Sequence, residues 1–219
     1  MSNVCLILGA GPGIGQSCAA AFAREGYDLA LATRRLNTVK PIAQSIAQSS
    51  GRQVRAYAAD AGDSDSLRHL VESVRDEMGD PAVVIFNVAD DHHGRPLQVS
   101  ADAWVDDFRI NVAGALTLAQ LVAPAMKQRR HGTLLLTGGG FAHEPSAAFA
   151  SLSASKAALR SLTFSLAQEL GNDGIHVATV TVYGLVQTGT AFDPNRIAQH
   201  FLALHRQKPG AFETERIFK

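Results

Sequence analysis

Residues 4–26 read VCLILGAGPGIGQSCAAAFAREG, and their order decides the fold. Five apolar residues in a row, closed by a glycine, suit a strand buried on both faces. A glycine-rich turn follows, and from Ile14 onward apolar residues recur at helical spacing. That order brings the backbone of Gly9, Gly11, Gly13, Ile14 and Gly15 to the positive end of a helix, where N–H groups can meet a pyrophosphate. The spacing is G-x-x-x-G-x-G through Gly9, Gly13 and Gly15, not the strict G-x-G-x-x-G. The turn therefore draws its weight from its place between a strand and a helix.

Outward from this segment, strand and helix patterns alternate to the end of the chain. Strand-like runs fall at 3–8, 28–32, 53–58, 82–87, 132–137, 176–182 and, more weakly, 212–217. Helical periodicity covers 14–25, 38–50, 64–78, 101–128, 148–170 and 194–205. Runs such as VVIF and TLLL, apolar at each position or nearly so, belong in a parallel sheet covered on both faces. The expectation is an α/β fold: one doubly wound parallel sheet of about seven strands, a Rossmann fold, spanning residues 1–219 as a single domain. Its ligand crevice should lie beyond the C-terminal strand ends at the switch point.

Composition narrows the function. Hydrophobic residues make up 46% and charged residues 18%, an ordinary globular balance. Lys plus Arg and Asp plus Glu both number 20, so no basic excess points to nucleic acid. Arg129, Arg130 and His131 read as cations at a helix end. Cys5 and Cys18 lie in apolar patterns and read as small core residues. No long unbroken apolar run suggests a membrane span, and no basic leader precedes the first strand, so a cytoplasmic protein without membrane partners is expected. No His or Cys spacing suggests a metal site.

The end of the second strand reads Ala32-Thr33-Arg34-Arg35. Folds that prefer NAD place a carboxylate there for the ribose 2′-hydroxyl. Arg34 and Arg35 instead offer guanidinium forks, which suit a 2′-phosphate. The cofactor expected is NADP(H).

With these residues in view, the chain resembles the short-chain dehydrogenase/reductase family over nearly its whole length. GAGPGIG is similar to the family's glycine motif, with Leu8 where a Thr is usual. The resemblance makes Asp60, followed by Ala61, the adenine contact. It makes NVAD, with Asn87 and Ala89, the loop after the fourth strand. Asn111 in RINVAGAL matches the helix Asn that helps hold a proton-relay water. SASKAAL carries Lys156, matched to the family's catalytic lysine, which lowers the pKa of the Tyr and binds the nicotinamide ribose. Gly184 and Thr188 match the glycine and the carboxamide-binding threonine. Homodimers or homotetramers, paired through the helices near 101–128 and 148–170, are the assembly the family implies.

Two positions depart from the family. The Tyr four residues before the lysine is Leu152, and the Ser thirteen residues before that is Gly139. Leucine has no proton to give and glycine has no hydroxyl to polarise a carbonyl oxygen. Loss of a general acid costs ~10²–10⁴-fold in rate. Ser151, Ser153 and Ser155 point elsewhere on the helix. Lys156 falls within the stripe Leu152, Lys156, Leu159, Thr163, Leu166 and Leu170, where an ammonium needs a partner or must snorkel to solvent. Tyr183, at the end of the sixth strand, is the best substitute donor, or else an aromatic plug. His92, His93 and His143 sit on crevice loops. The segment after Thr188 is too short for the helical lid usual in the family. Two readings remain open: an atypical NADP(H)-dependent oxidoreductase acting on a carbonyl or alcohol substrate not identified by the sequence, and a non-catalytic NADP(H)-binding or sensor protein.

Overall fold

Strands whose successive side chains must both be buried need helices on each side, and the described residues supply seven α-helices. The computed structural model describes residues 3–219. Its strands are β1 (Val4–Leu8), β2 (Asp28–Thr33), β3 (Val54–Ala58), β4 (Val83–Phe86), β5 (Gly132–Gly139), β6 (Ile175–Val182) and β7 (Glu215–Phe218). Its α-helices are α1 (Ile14–Arg24), α2 (Leu36–Ser50), α3 (Ser64–Met78), α4 (Ala101–Phe108), α5 (Gly114–Arg129), α6 (Ala150–Leu170) and α7 (Pro194–His205). All seven strands pair in parallel in the order β3-β2-β1-β4-β5-β6-β7. The switch point lies between β1 and β4, and ligands of such sheets bind above it.

Strand alternation sorts the core into two layers. From β4, Val83 and Ile85 join Phe22, Leu29 and Phe201 on the α1, α2 and α7 side. Val84 and Phe86 join Leu67, Leu118 and Leu166 on the α3, α5 and α6 side. Cys5 and Cys18 are fully buried free thiols, as their apolar neighbours required.

Element limits fall within two or three residues of the expected ones, with one correction of substance. The single helix expected over 101–128 is two helices, α4 and α5, joined by a π-helical turn at Arg109–Ala113. No proline or glycine within that turn announces the break. Its effect is to aim both Asp107 and Asn111 inward, where each is buried. The stretch Ala101–Arg129 is long and apolar enough on average to cross a membrane. Here the turn interrupts it, and Leu118, Val122 and Met126 lie against the sheet.

Candidate cofactor and reaction site

Close backbone contact shapes the phosphate turn. Gly9 has φ +88°, and a Cβ on it would stand 2.4 Å from the Asn87 carbonyl oxygen. A Cβ on Gly15 would stand 2.2 Å from the Gly9 carbonyl oxygen. Gly11 and Gly13 face open space, and no side chain caps α1, so the helix presents bare N–H groups beginning at Ile14. Asn87 ties the crevice together: its Nδ2 donates to the Gly9 carbonyl at 2.9 Å, and its Oδ1 accepts from the Thr137 hydroxyl at 2.7 Å. The ends of β1, β4 and β5 are thereby held in register. A narrow floor lined by backbone is what a pyrophosphate requires.

Beside this turn lies a cavity of about 210 Å³ lined by Gly11, Arg34, Asp60, Ala61, Asn87 and Ala89, among others. Seven residues expected to bind the cofactor, Gly9 among them, thus share one pocket. Asp60 accepts from the Gly62 N–H at 2.8 Å, which fixes its carboxylate. Arg34 is paired with Asp90, Nη1 to Oδ2 at 3.1 Å, across the mouth. Arg35 is the N-cap residue of α2, outside the pocket lining.

The loop after β4 is sewn to the π turn. Asn111 accepts from the Asp90 N–H and donates to the Asp90 carbonyl, each at 2.7 Å. Its side chain therefore holds a loop. One turn earlier, buried Asp107 accepts from the His92 N–H at 3.0 Å and meets His92 Nδ1 at 2.7 Å. It also accepts from the Ser151 hydroxyl. The bond to Asp107 holds the His92 imidazole above its usual range. Burial pushes the Asp107 carboxyl up, yet these donors leave it below the ordinary value. His93 lies outside this set, with its ring edge against Phe149.

Lys156 is buried, 7% exposed, with its ammonium donating to the Thr137 carbonyl at 2.7 Å. Burial lowers its pKa to about 8, so it stays mostly protonated at neutral pH. It does not snorkel to solvent, and the expected partner, a ribose, has a carbonyl beside it. Lys156 is on the wall of a cavity of about 510 Å³ with Gly139, Phe149, Leu152, Tyr183 and Gly184. A Cβ at Gly139 would lie 3.6 Å from Lys156 Cγ, an ordinary contact, so that position has room for a side chain. Leu152 presents only methyl groups.

Tyr183 packs its ring over Gly140, where a Cβ would stand 2.8 Å from the ring. Its hydroxyl meets His143 Nδ1 at 2.5 Å. Gly184 has no space for a side chain against the Phe192 ring. Thr188 is exposed and outside the cavity lining. Residues 183–193 contain turns only and run directly into α7. Nothing local in the sequence marks Thr137, or the pairing of Asp90 with Arg34.

The profile of the short chain dehydrogenase family matches residues 3–196. The chain is 32% identical over 185 residues to a very-long-chain 3-oxoacyl-CoA reductase of Aspergillus clavatus, covering 81% of this chain and 52% of that one. It therefore spans about half the length of that relative. A metagenomic short-chain oxidoreductase solved with NADP superposes with a TM-score of 0.90 at 24% identity, over 98% of this chain and 96% of that one. L-sorbose reductase from Gluconobacter frateurii, solved with NADPH and L-sorbose, gives 0.90 at 22% identity over 99% and 94%. The protein belongs to the short-chain dehydrogenase family, and its sheet is that family's Rossmann fold.

Proposed function

We propose that the protein is an NADP(H)-dependent oxidoreductase that interconverts a carbonyl and an alcohol, with Tyr183 giving the proton that Leu152 cannot. The observation that carries this reading is a phenol on the wall of the same cavity as Lys156. Gly9, Gly15 and the start of α1 receive the pyrophosphate. Asp60 and Ala61 bound the adenine, and Arg34, drawn from Asp90, pairs with the 2′-phosphate. Arg35 stands ready at the rim. The Lys156 ammonium has N–H groups beyond the one given to Thr137, and these hold the nicotinamide ribose. Gly184 and Thr188 border the nicotinamide. A bound nicotinamide supplies or takes up the hydride. Phe141, Phe149, Leu152 and Leu185 give the cavity an apolar wall, which favours an apolar carbonyl compound.

With NADPH and 4-nitrobenzaldehyde, Tyr183→Phe should lose turnover by ~10²–10⁴-fold while NADPH affinity holds. Unchanged turnover in Tyr183→Phe removes Tyr183 as donor. The second reading, a sensor that binds NADP(H) without chemistry, draws on the missing hydroxyls at Leu152 and Gly139. Absence of turnover by the wild type across aromatic and aliphatic carbonyls would favour it. Val105 and Leu116, exposed on α4 and α5, support pairing of these helices with α6 in a homodimer or tetramer. Light scattering should give at least twice the chain mass; a monomer at micromolar concentration counts against it.

A further inference from the structure

Behind Tyr183 stands a chain of polar groups that a simple aromatic plug does not need. His143 Nδ1 faces the phenol, and on the ring's other side Nε2 lies 3.1 Å from Glu215 Oε1. That last contact has ion-pair distance but is not aligned as a hydrogen bond. Glu215 cannot turn away. Its Oε1 accepts from the Thr181 hydroxyl at 2.7 Å, and Arg160 clamps Oε2 with Nε at 2.9 Å and Nη2 at 2.7 Å. Its side chain is 9% exposed. Burial pushes the carboxyl up, but the bonds from Arg160 and Thr181 hold it below its usual value, so it stays anionic. A fixed carboxylate beside Nε2 places a proton on Nε2 and leaves Nδ1 to exchange one with the phenol. These groups come from four places in the chain: the loop after β5, α6, the end of β6 and β7. The His143 side chain is 24% exposed, while its Nε2 is buried against Glu215.

We infer that His143 and Glu215 form a proton relay that links Tyr183, at the cavity, to solvent. The inference rests on Tyr183 being the donor proposed above. In reduction, hydride arrives at the carbonyl carbon and the C=O electron pair moves to oxygen, which takes the Tyr183 proton. The Tyr183 oxygen takes the Nδ1 proton of doubly protonated His143. Neutral His143 keeps its Nε2 proton toward Glu215, and Nδ1 regains a proton from solvent once its bond to the phenol opens. Oxidation runs the same path backward: the alcohol proton passes to Tyr183 and the phenol proton to Nδ1. Glu215 then steadies the imidazolium. His143 and Glu215 act through Tyr183 and so are positioning and relay residues. The charged groups around His143 are Glu215 on β7, Arg160 on α6, Lys219 with its ammonium 4.2 Å from the Tyr183 ring centre, and its chain neighbour Glu144.

Two measurements test the relay. Nitrogen-15 NMR of histidine-labelled protein, with His143→Ala to assign the signal, should show neutral His143 protonated at Nε2, and Glu215→Gln should lower that population. Turnover of 4-nitrobenzaldehyde with NADPH, and of 4-nitrobenzyl alcohol with NADP, is then followed against pH. His143→Ala should lower kcat by roughly 10–100-fold with little change in KM, remove one arm of the pH profile, and recover when imidazole is added. A neutral His143 protonated at Nδ1 overturns the relay. So does a His143→Ala enzyme with wild-type kcat and pH profile while Tyr183→Phe is inactive, an outcome that leaves the donor assignment standing. Full activity in Tyr183→Phe, or no wild-type turnover of either probe, brings down the proposed function and the relay together.

Discussion

A methyl group added at Gly15 has no place to go, whereas one added at Gly139 meets only the side chain of Lys156 at ordinary distance. Gly15 is buried in the first turn of α1, and Gly139 lines the cavity that holds Lys156. In the first region the closest approaches are to backbone: Gly9 meets the Asn87 carbonyl and Gly15 the Gly9 carbonyl, so any side chain would push a strand or helix aside. In the second they are to side chains on a stable frame. Gly139 has room for a side chain with no backbone atom in the way. Cofactor geometry of this kind changes only at the expense of the fold.

The contrast predicts unequal answers to similar mutations. Gly15→Ala should lower NADPH affinity by at least ~100-fold, because α1 must tilt from Gly9 to admit the methyl and the N–H groups lose their aim. Calorimetry with circular dichroism to check folding reads this; Gly139→Ser, tested alongside, should bind NADPH as the wild type does. Equal behaviour of the two variants would erase the distinction. Gly139→Ser combined with Leu152→Tyr should raise turnover of 4-nitrobenzaldehyde by ~10²-fold, and either alone by less, since donor and oxygen-holder act as a unit. Steady-state kinetics decide it, and a double variant no faster than the wild type while still binding NADPH would show that the cavity is not poised for those side chains. The smallest effect is at the adenosine end. Arg34→Ala should weaken NADPH by roughly tenfold and leave NADH nearly unchanged, the loss of one charge-assisted bond to the 2′-phosphate. Equal losses for both nucleotides by calorimetry would remove Arg34 from that role.

The backbone-built region was also the more legible in sequence. Glycines at fixed offsets after an apolar run state a steric requirement, and VVIF can only be a strand with cover on both faces. The stripe of Leu152, Lys156, Leu159, Thr163, Leu166 and Leu170 located the lysine on the inward face of α6, and it is buried there. The relay was not legible. Glu215 lies on the weakest strand pattern, and only the β6–β7 pairing brings it beside Thr181. His143 had the look of a loop histidine because its partners come from elements distant in the chain. Asp107 was hidden by a helix read as unbroken.

That break has a mechanical consequence. A π turn carries one more residue than the α-helical turn it replaces, and each residue rotates a helix by about 100°. Everything before Arg109 is therefore clocked by that angle relative to a continuous helix, with α5 held against the sheet. Without the extra residue Asp107 would swing off Ser151 and His92, and the loop after β4 would lose its seam. One surplus residue sets the rotational phase between the apolar face that packs and the polar face that fastens the crevice loop.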